Sequence, residues 1–210
     1  MDRNSGLLKN YSKPQRLLYP EDEKETDWLS ALLDAYYTAD KGIFEKILEQ
    51  EKKGRRLACA KGCSTCCSTH VTIPVYPMEL LGIYWYVILK ADPEIKESLK
   101  IKLENFKPGD SCPFLLKGGA CGIHPMRPLA CRHFNVFGKS CAPGEDPFYT
   151  RRKDVLTPDE KVKNKALSYM VSIHGITDRK ERKEFVKSGQ IHQLAKNIQE
   201  IDWKKLSRRI

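Results

Sequence analysis

The sequence predicts a mainly α-helical single domain with a small β-hairpin, and three features predict it. Apolar residues recur at three- and four-residue spacing on both sides of the chain's centre. The centre itself, residues 59–141, holds all eight cysteines, while the 58 residues before it and the 69 after it hold none. Inside that centre lies one short turn signal, Lys117-Gly118-Gly119-Ala120. At 210 residues the chain is sized for one domain or two small ones. Its hydrophobic share is 40%, and 13 glycines bring the composition close to that of an ordinary globular protein. A core is therefore available, although 30% of residues are charged and mean hydropathy is −0.53.

The first 20 residues are polar and punctuated by Gly6, Pro14 and Pro20, which reads as a flexible arm. Residues 21–54 form a helical flank. Trp28, Leu29, Leu32, Leu33 and Tyr36 share one face, as do Ile43, Phe44, Ile47 and Leu48, and Asp40-Lys41-Gly42 is expected to break the helix in two. Val71 to Pro77 is β-branched but interrupted by proline, so it is extended without being a central strand. Pro77 suits the first turn of a helix reaching about Lys90, with Glu79 near its positive end. Asp92-Pro93-Glu94 opens another helix that stops before Pro108-Gly109. The predicted hairpin joins Cys112–Leu116 to Cys121–His124, with the two glycines supplying positive φ.

Residues 146–210 make the C-terminal helical flank. Thr157 is the expected cap of a helix with Glu160 three residues on, and Gly175 ends it after His174. A last amphipathic pattern follows at Ile191, Leu194, Ile198 and Ile201. Tyr76, Tyr84, Trp85 and Tyr86 are read as core rather than as a stacking surface.

The longest apolar stretch, Leu80 to Leu89, is about half of what a bilayer requires, so no membrane contact is expected. Met1 to Lys9 lacks the apolar block of an export signal, which places the protein in the cytoplasm. In a reducing compartment, eight cysteines point to metal or redox chemistry rather than to a disulfide framework. Residues 55–145 are accordingly read as a metal-binding domain that staples the fold.

Cys59, Cys63, Cys66 and Cys67 sit on a tight loop that Gly62 lets bend, so thiolates three or four apart face a common centre. Adjacent Cys66 and Cys67 diverge, which predicts separate centres or opposite sides of a cluster. Cys112, Cys121, Cys131 and Cys141 follow at intervals of nine or ten and require tertiary folding to converge. Four thiolates around a divalent ion or a [4Fe–4S] cluster carry a net negative charge. Residues 112–141 supply Lys117, Arg127, Arg132 and Lys139 and contain no Asp or Glu, so Arg127 and Arg132 are expected to border the cofactor. Phe114, Leu115, Leu116, Ile123, Phe134, Val136 and Phe137 would keep water out. Only Cys63-x2-Cys66 has the zinc-knuckle spacing, and Cys112-Pro113 echoes cluster ligation, which favours iron–sulfur with zinc as the alternative. His70, His124 and His133 lie close to cysteines in sequence but are not needed to complete the ligand count.

These residues resemble the YkgJ-like or CxxCxxCC family, a zinc- or iron-chelating domain. The match runs through Cys59, Cys63-x2-Cys66-Cys67, Cys112-Pro113-Phe114-Leu115 and Cys121-x-Ile123-His124-x2-Arg127-Pro128-x2-Cys131-Arg132. It covers roughly 55–145, with three residues instead of two between Cys59 and Cys63. The resemblance implies that all eight cysteines are ligands in a cytoplasmic prokaryotic protein of the Fe–S oxidoreductase kind, with a protein or small-molecule redox partner. A more distant likeness to the cysteine-cluster part of flagellin lysine methylases implies an S-adenosylmethionine-dependent alternative.

Two other readings are weaker. Cys59-x3-Cys63-x2-Cys66 equals the radical S-adenosylmethionine spacing, but that fold needs strand–helix repeats after the motif, and Thr65 stands where an aromatic is usual. A zinc-stapled module that binds a protein or nucleic acid is compatible with the net charge of +10. Half of that excess lies in 178–210, where signs alternate as on a solvated helix face, and no nucleic-acid-binding motif is present.

Overall fold

The computed structural model describes residues 12–210. The arm expected over 1–20 falls partly on residues 1–11, outside the described residues. Residues 12–19 have no regular secondary structure but are tied down by Arg16, which pairs with Glu23 at 2.7 Å and Asp34 at 2.6 Å. Tyr19 packs edge-on against Trp85, with ring centroids 4.8 Å apart.

Helix α1 (Pro20–Glu25) opens on proline followed by three acids, a composition suited to a positive helix end. Helix α2 (Asp27–Lys52) runs unbroken for 26 residues, so the expected break at Asp40-Lys41-Gly42 does not occur. The reason is tertiary. A Cβ on Gly42 would lie 2.5 Å from Val162 Cγ1, so glycine is the residue that lets a second helix approach this closely. After a short turn of helix, α3 (Thr65–Thr69), comes the strand β1 (Pro74–Val75). Helix α4 (Pro77–Trp85) starts at its predicted proline and widens into a π-helical turn through Lys90. At Gly82 a Cβ would run into Leu32 of α2, a second place where a missing side chain sets a helix contact. Helix α5 (Pro93–Asn105) also begins where the sequence places it.

Two short helices follow, α6 (Leu129–His133) and α7 (Pro147–Thr150). Helix α8 (Glu160–Met170) continues as a 3-10 turn to His174, and Gly175 at φ +77° ends it. Its cap is Asp159 rather than the expected Thr157: the Asp159 carboxylate accepts from Val162 N–H at 3.0 Å. Helix α9 (Arg179–Lys187), capped by Asp178, carries the mixed charges in solvent.

The amphipathic pattern over 191–201 is not a helix. It divides into α10 (Gln190–Gln193), strand β2 (Lys196–Asn197) and a 3-10 turn (Ile198–Glu200), before α11 (Lys204–Ser207). Strand pairing overrides helical periodicity here: β2 lies antiparallel to β1, with Pro74 opposite Asn197 and Val75 opposite Lys196. The fold is mainly α with this small antiparallel pair. The hairpin expected at 112–124 is reduced to a turn closed by a single bridge, Leu115 opposite Cys121.

Burial produces two cores. One gathers α2, α4, α8 and α9 around Leu29, Leu32, Leu33, Ile47, Leu167 and Met170. The other gathers α4, α5 and α11 around Ile83, Leu99, Leu103, Phe114 and Trp203, whose indole N–H donates to Ile198 O at 2.7 Å. The cysteine-bearing loop reaches both, because Phe114 and Ile123 belong to the second core while Met126, Leu129 and Phe137 belong to the first. No helix among the described residues is long and apolar enough to cross a membrane.

The close passage of α8 over Gly42 has a measurable consequence. In an ordinary helix Gly→Ala stabilises by about 0.5–1 kcal/mol. Here Gly42→Ala is expected to destabilise by about 1–3 kcal/mol through overpacking against Val162. Adding Val162→Ala should recover part of that loss, as read by urea denaturation; a Gly42→Ala variant more stable than the native chain would refute the close contact.

Candidate metal centre

The first cysteine group is positioned by backbone pairing. Leu57 bridges to Phe137, and Ala58 N–H donates to Val136 O at 2.7 Å, which sets Cys59 beside residues 136–137. Val136 N–H then donates to Cys59 Sγ at 3.3 Å, a bond that favours sulfur carrying negative charge. Past Cys59 the chain turns through Gly62 at φ +86°, leaving Cys63 exposed, and enters α3 with Cys66 and Cys67.

The second group closes onto the first. Cys112 N–H donates to Cys67 O at 2.7 Å. From there the chain makes the Gly118-Gly119 turn, closed by Leu116 N–H to Ala120 O at 2.8 Å, and returns with Cys121 opposite Leu115. The turn lies against the Gly62–Ser64 loop: a Cβ on Gly119 would sit 3.1 Å from Ser64 Oγ. A 3-10 turn (His124–Met126) leads to α6, which carries Cys131. Cys141 comes last, with Arg151 Nη2 at 3.7 Å from its sulfur.

Two charged side chains, one from α4 and one on α6 itself, hold α6 in place. Glu79 of α4 is fully buried and accepts from its own helix's Tyr76 N–H at 3.0 Å and from Leu129 N–H, the first residue of α6, at 2.6 Å. One carboxyl thus joins the starts of two helices, and burial raises it to about 7. Arg132, 5% exposed, lies 3.9 Å over the Tyr36 ring, pairs with Asp40 at 2.5 Å and donates to Pro125 O and Arg127 O.

All eight cysteines are free thiols. Burial lifts Cys59 to about 11, against the opposing Val136 N–H, with Cys63, Cys66 and Cys141 adding to the rise. The neighbouring Cys67 thiol, then burial, pushes Cys66 far up. Cys67 rises to about 12, chiefly through Cys112. Cys121 and Cys131 rise mainly by burial, and Cys131 also feels Cys67, Cys121 and Cys66. Cys141 is raised by burial and lowered by Arg151. The pattern is that of sulfurs close enough to repel as anions, so a bound cation would reverse the sign of the dominant interactions. This donor set fits zinc or iron, both of which bind thiolates. Among the described residues, no three His, Cys, Asp or Glu side chains already stand where they could hold one ion. The thiols are gathered but not closed.

The surrounding charges differ from the sequence expectation. Residues 112–141 contain no carboxylate, yet Asp40 neutralises Arg132, and Glu145 pairs with Arg151 at 2.8 Å. Arg132 is therefore a strut rather than an open cation. Arg127 lies 3.0 Å from His124 Nε2, its Nε is buried without a partner, and its charge lowers Cys121. Lys117 and Lys139 are exposed. The cation that sequence reasoning missed is Lys102 of α5, half-buried, which donates to Leu115 O and feels Cys112 and Cys67. No local signal marks it, since it reaches the site only through the packing of Leu99 and Leu103 in the second core. Arg151, held by Glu145 beside Cys141, and Glu79, bonded to the start of α6, were missed as well.

The histidines take structural roles. His70 packs edge-on against Phe134 at 4.4 Å, and its Nε2 stands 3.3 Å from Asp146 Oδ1 without hydrogen-bond geometry. His124 faces Arg127, and burial lowers His133 to about 4. A cavity of about 420 Å³ opens beside Lys46, Arg55, Phe137 and Arg152, but no cysteine lines it.

The CxxCxxCC family, described as a putative zinc- or iron-chelating domain, matches residues 58–167. No curated protein and no solved structure matches the chain.

The Glu79 carboxyl gives the fold a pH dependence. Its folded value, about 7, lies above the ordinary 4.5, so the folded state holds the proton over a range where the unfolded chain has lost it. Stability from this group is therefore full below about pH 4.5 and falls as pH rises to about 7, by up to roughly 3 kcal/mol. Glu79→Gln, which loses one acceptor, should be less stable than the native chain at pH 5, and the gap should narrow by pH 7.5 in denaturant titrations. A gap independent of pH would show Glu79 ionised throughout.

Proposed function

The chain belongs to the CxxCxxCC family of zinc- or iron-chelating domains, and from that premise we propose that Cys59, Cys63, Cys66, Cys67, Cys112, Cys121, Cys131 and Cys141 hold an iron–sulfur centre that serves electron transfer or modification chemistry. One observation carries the reading: all eight cysteines are free thiols, and the backbone pairings of Ala58 with Val136 and of Cys112 with Cys67 bring cysteine-bearing segments far apart in sequence against one another. A protein gains nothing for its own stability by crowding buried thiols, whereas a soft cation repays the arrangement. Bound there, an iron–sulfur cluster supplies one-electron chemistry at a potential set by charge, exposure and hydrogen bonds to sulfur.

The chain's own residues supply those settings. Val136 N–H and the Arg151 guanidinium donate to sulfur. Lys102 and Arg127 oppose the negative charge of the thiolates. Phe114, Ile123 and Phe137, each almost wholly buried, exclude water from the inner side. Cys63 is exposed and is the edge at which a redox partner or substrate would meet the centre.

Purification without oxygen, followed by elemental analysis and an absorption spectrum, tests this. Several irons per chain and a broad visible band are expected; zinc in a colourless protein would replace the cluster with a zinc staple. Stripping the metal with a strong chelator should lower the melting temperature sharply, since structural zinc in small modules contributes about 10–16 kcal/mol. Cys67→Ser and Cys131→Ser should each lower metal content and increase protease sensitivity. Unchanged metal content in both would remove these residues from the ligand set.

A further inference from the structure

Two stretches of the chain build the outer edge of the cysteine centre, and neither residues 52–78 nor residues 111–144 contain an Asp or a Glu. Some of their cations are answered from elsewhere: Lys53 pairs with Glu49, Arg55 with Asp154 and Arg132 with Asp40. Arg56, Lys61, Lys117 and Lys139 are different. All four are exposed, and none makes an ion pair among the described residues.

Backbone contacts draw these four together. Gly138 N–H donates to Arg56 O at 2.8 Å, so the segment carrying Lys139 runs beside Arg56. Cys63 N–H donates to Ala60 O at 3.0 Å, which folds Lys61 into the turn that presents Cys63 to solvent. The Gly118-Gly119 turn rests on that loop, since a Cβ on Gly119 would lie 3.3 Å from Gly62 O, and Lys117 rides on the same turn. Exposed charges act weakly through water on buried groups and decay over about 10 Å at 0.1 M salt. Their stronger effect is outward, on an approaching partner.

We propose that this edge is the docking surface for a protein with an acidic face, an electron carrier that meets the centre at Cys63. It rests on the electron-transfer reading above and names the class of partner. The carrier gives up one electron, the centre gains it, and no atom is transferred. Three features select such a partner. The exposed large apolar side chains, Val71, Phe148 and Tyr149 among them, lie off residues 54–64, 117–120 and 138–144. The apolar middle of a permanent interface is thus missing, whereas a transient, charge-steered encounter needs only a small polar contact. The same loops expose no Phe, Tyr or Trp on which the bases of a single strand could stack. The cavities of about 420 and 400 Å³ have no cysteine in their walls, so neither brings a small anion to the centre. The other basic region, α9, intersperses its cations with Glu181 and Glu184, and Lys187 pairs with Glu184 at 3.6 Å.

The test uses the full chain, purified without oxygen, with a strongly acidic [2Fe–2S] ferredoxin as the probe. A basic cytochrome c and a single-stranded oligouridylate are run beside it. Calorimetric titration at about 20 mM salt should register the ferredoxin and not the cytochrome, and about 200 mM salt should weaken binding by about tenfold. Lys61→Glu together with Lys117→Glu should weaken it by about tenfold with metal content unchanged. Lys180→Glu together with Lys183→Glu on α9, the same change in net charge, should stay within about twofold of the native chain. Equal losses from the two pairs would reduce the effect to overall charge and overturn the docking surface. Absence of ferredoxin binding would do the same, as would tighter binding of the oligouridylate that the first pair abolishes. Ferredoxin bound at this edge of a colourless, zinc-filled chain would leave the acidic-protein surface standing and overturn the electron-transfer reading beneath it.

Discussion

Residues 112–141 have to satisfy two hydrophobic cores at once, and the rest of the architecture depends on that constraint. Phe114 and Ile123 are inserted beside Leu99, Leu103 and Trp203, whereas Met126, Leu129 and Phe137 are inserted beside α2 and α8. A segment anchored at both ends of a short path cannot drift, so the sulfurs it carries are held against those of the 59–67 loop without any regular sheet or long helix beneath them. Glu79 and Arg132 complete the anchoring with hydrogen bonds, one from α4 and one across to α2. The site is thus an irregular loop system bordered by two packed cores, and among the described residues no disulfide links its cysteines. A metal bound among these thiols would add to that anchoring, because binding free energy in such a site is folding free energy.

Much of this was legible in the sequence wherever the cause was local. Pro77 and Pro93 fix φ at helix starts, and both helices begin there. Gly175 takes a left-handed conformation and ends a helix as expected. The cysteine cluster and its family were also readable, since the residue type and the window carry the information. What was not legible depends on partners distant in sequence. Gly42 reads as a breaker until Val162 is placed on top of it. Ile191 to Ile201 has helical spacing, but strand pairing with Pro74–Val75 cuts it. Thr157 and Asp159 are both acceptable caps by type, and only the path of the chain into α8 selects Asp159. The charges obey the same rule: Asp40, Glu79, Lys102 and Arg151 lie outside the cysteine loops and enter the site through packing alone.

The electrostatic consequence is a site that is less open than its composition suggests. A stretch with four cations and no carboxylate looks like an anion trap, yet Asp40 folds in to neutralise one of them, Arg132, and Glu145 pairs with Arg151 beyond the stretch. The remaining excess positive charge is smaller, and Lys117 and Lys139 keep theirs in solvent. The family match extends beyond Cys141 to residue 167, which includes the part of α8 lying over Gly42. The first part of the C-terminal flank, as far as residue 167, therefore lies inside the matched region.

Synthesis order adds a last consequence of the β1–β2 pair and of Trp203. Pro74–Val75 finds its partner at Lys196–Asn197, and Phe114 stacks edge-on against Trp203 at 4.7 Å. Lys196 follows Cys141 by 55 residues. At roughly 5–20 residues per second, a ribosome delivers every sulfur several seconds before the wall that seals the second core. During that interval Phe114 and Ile123 have only the α4 and α5 side of the second core to pack against.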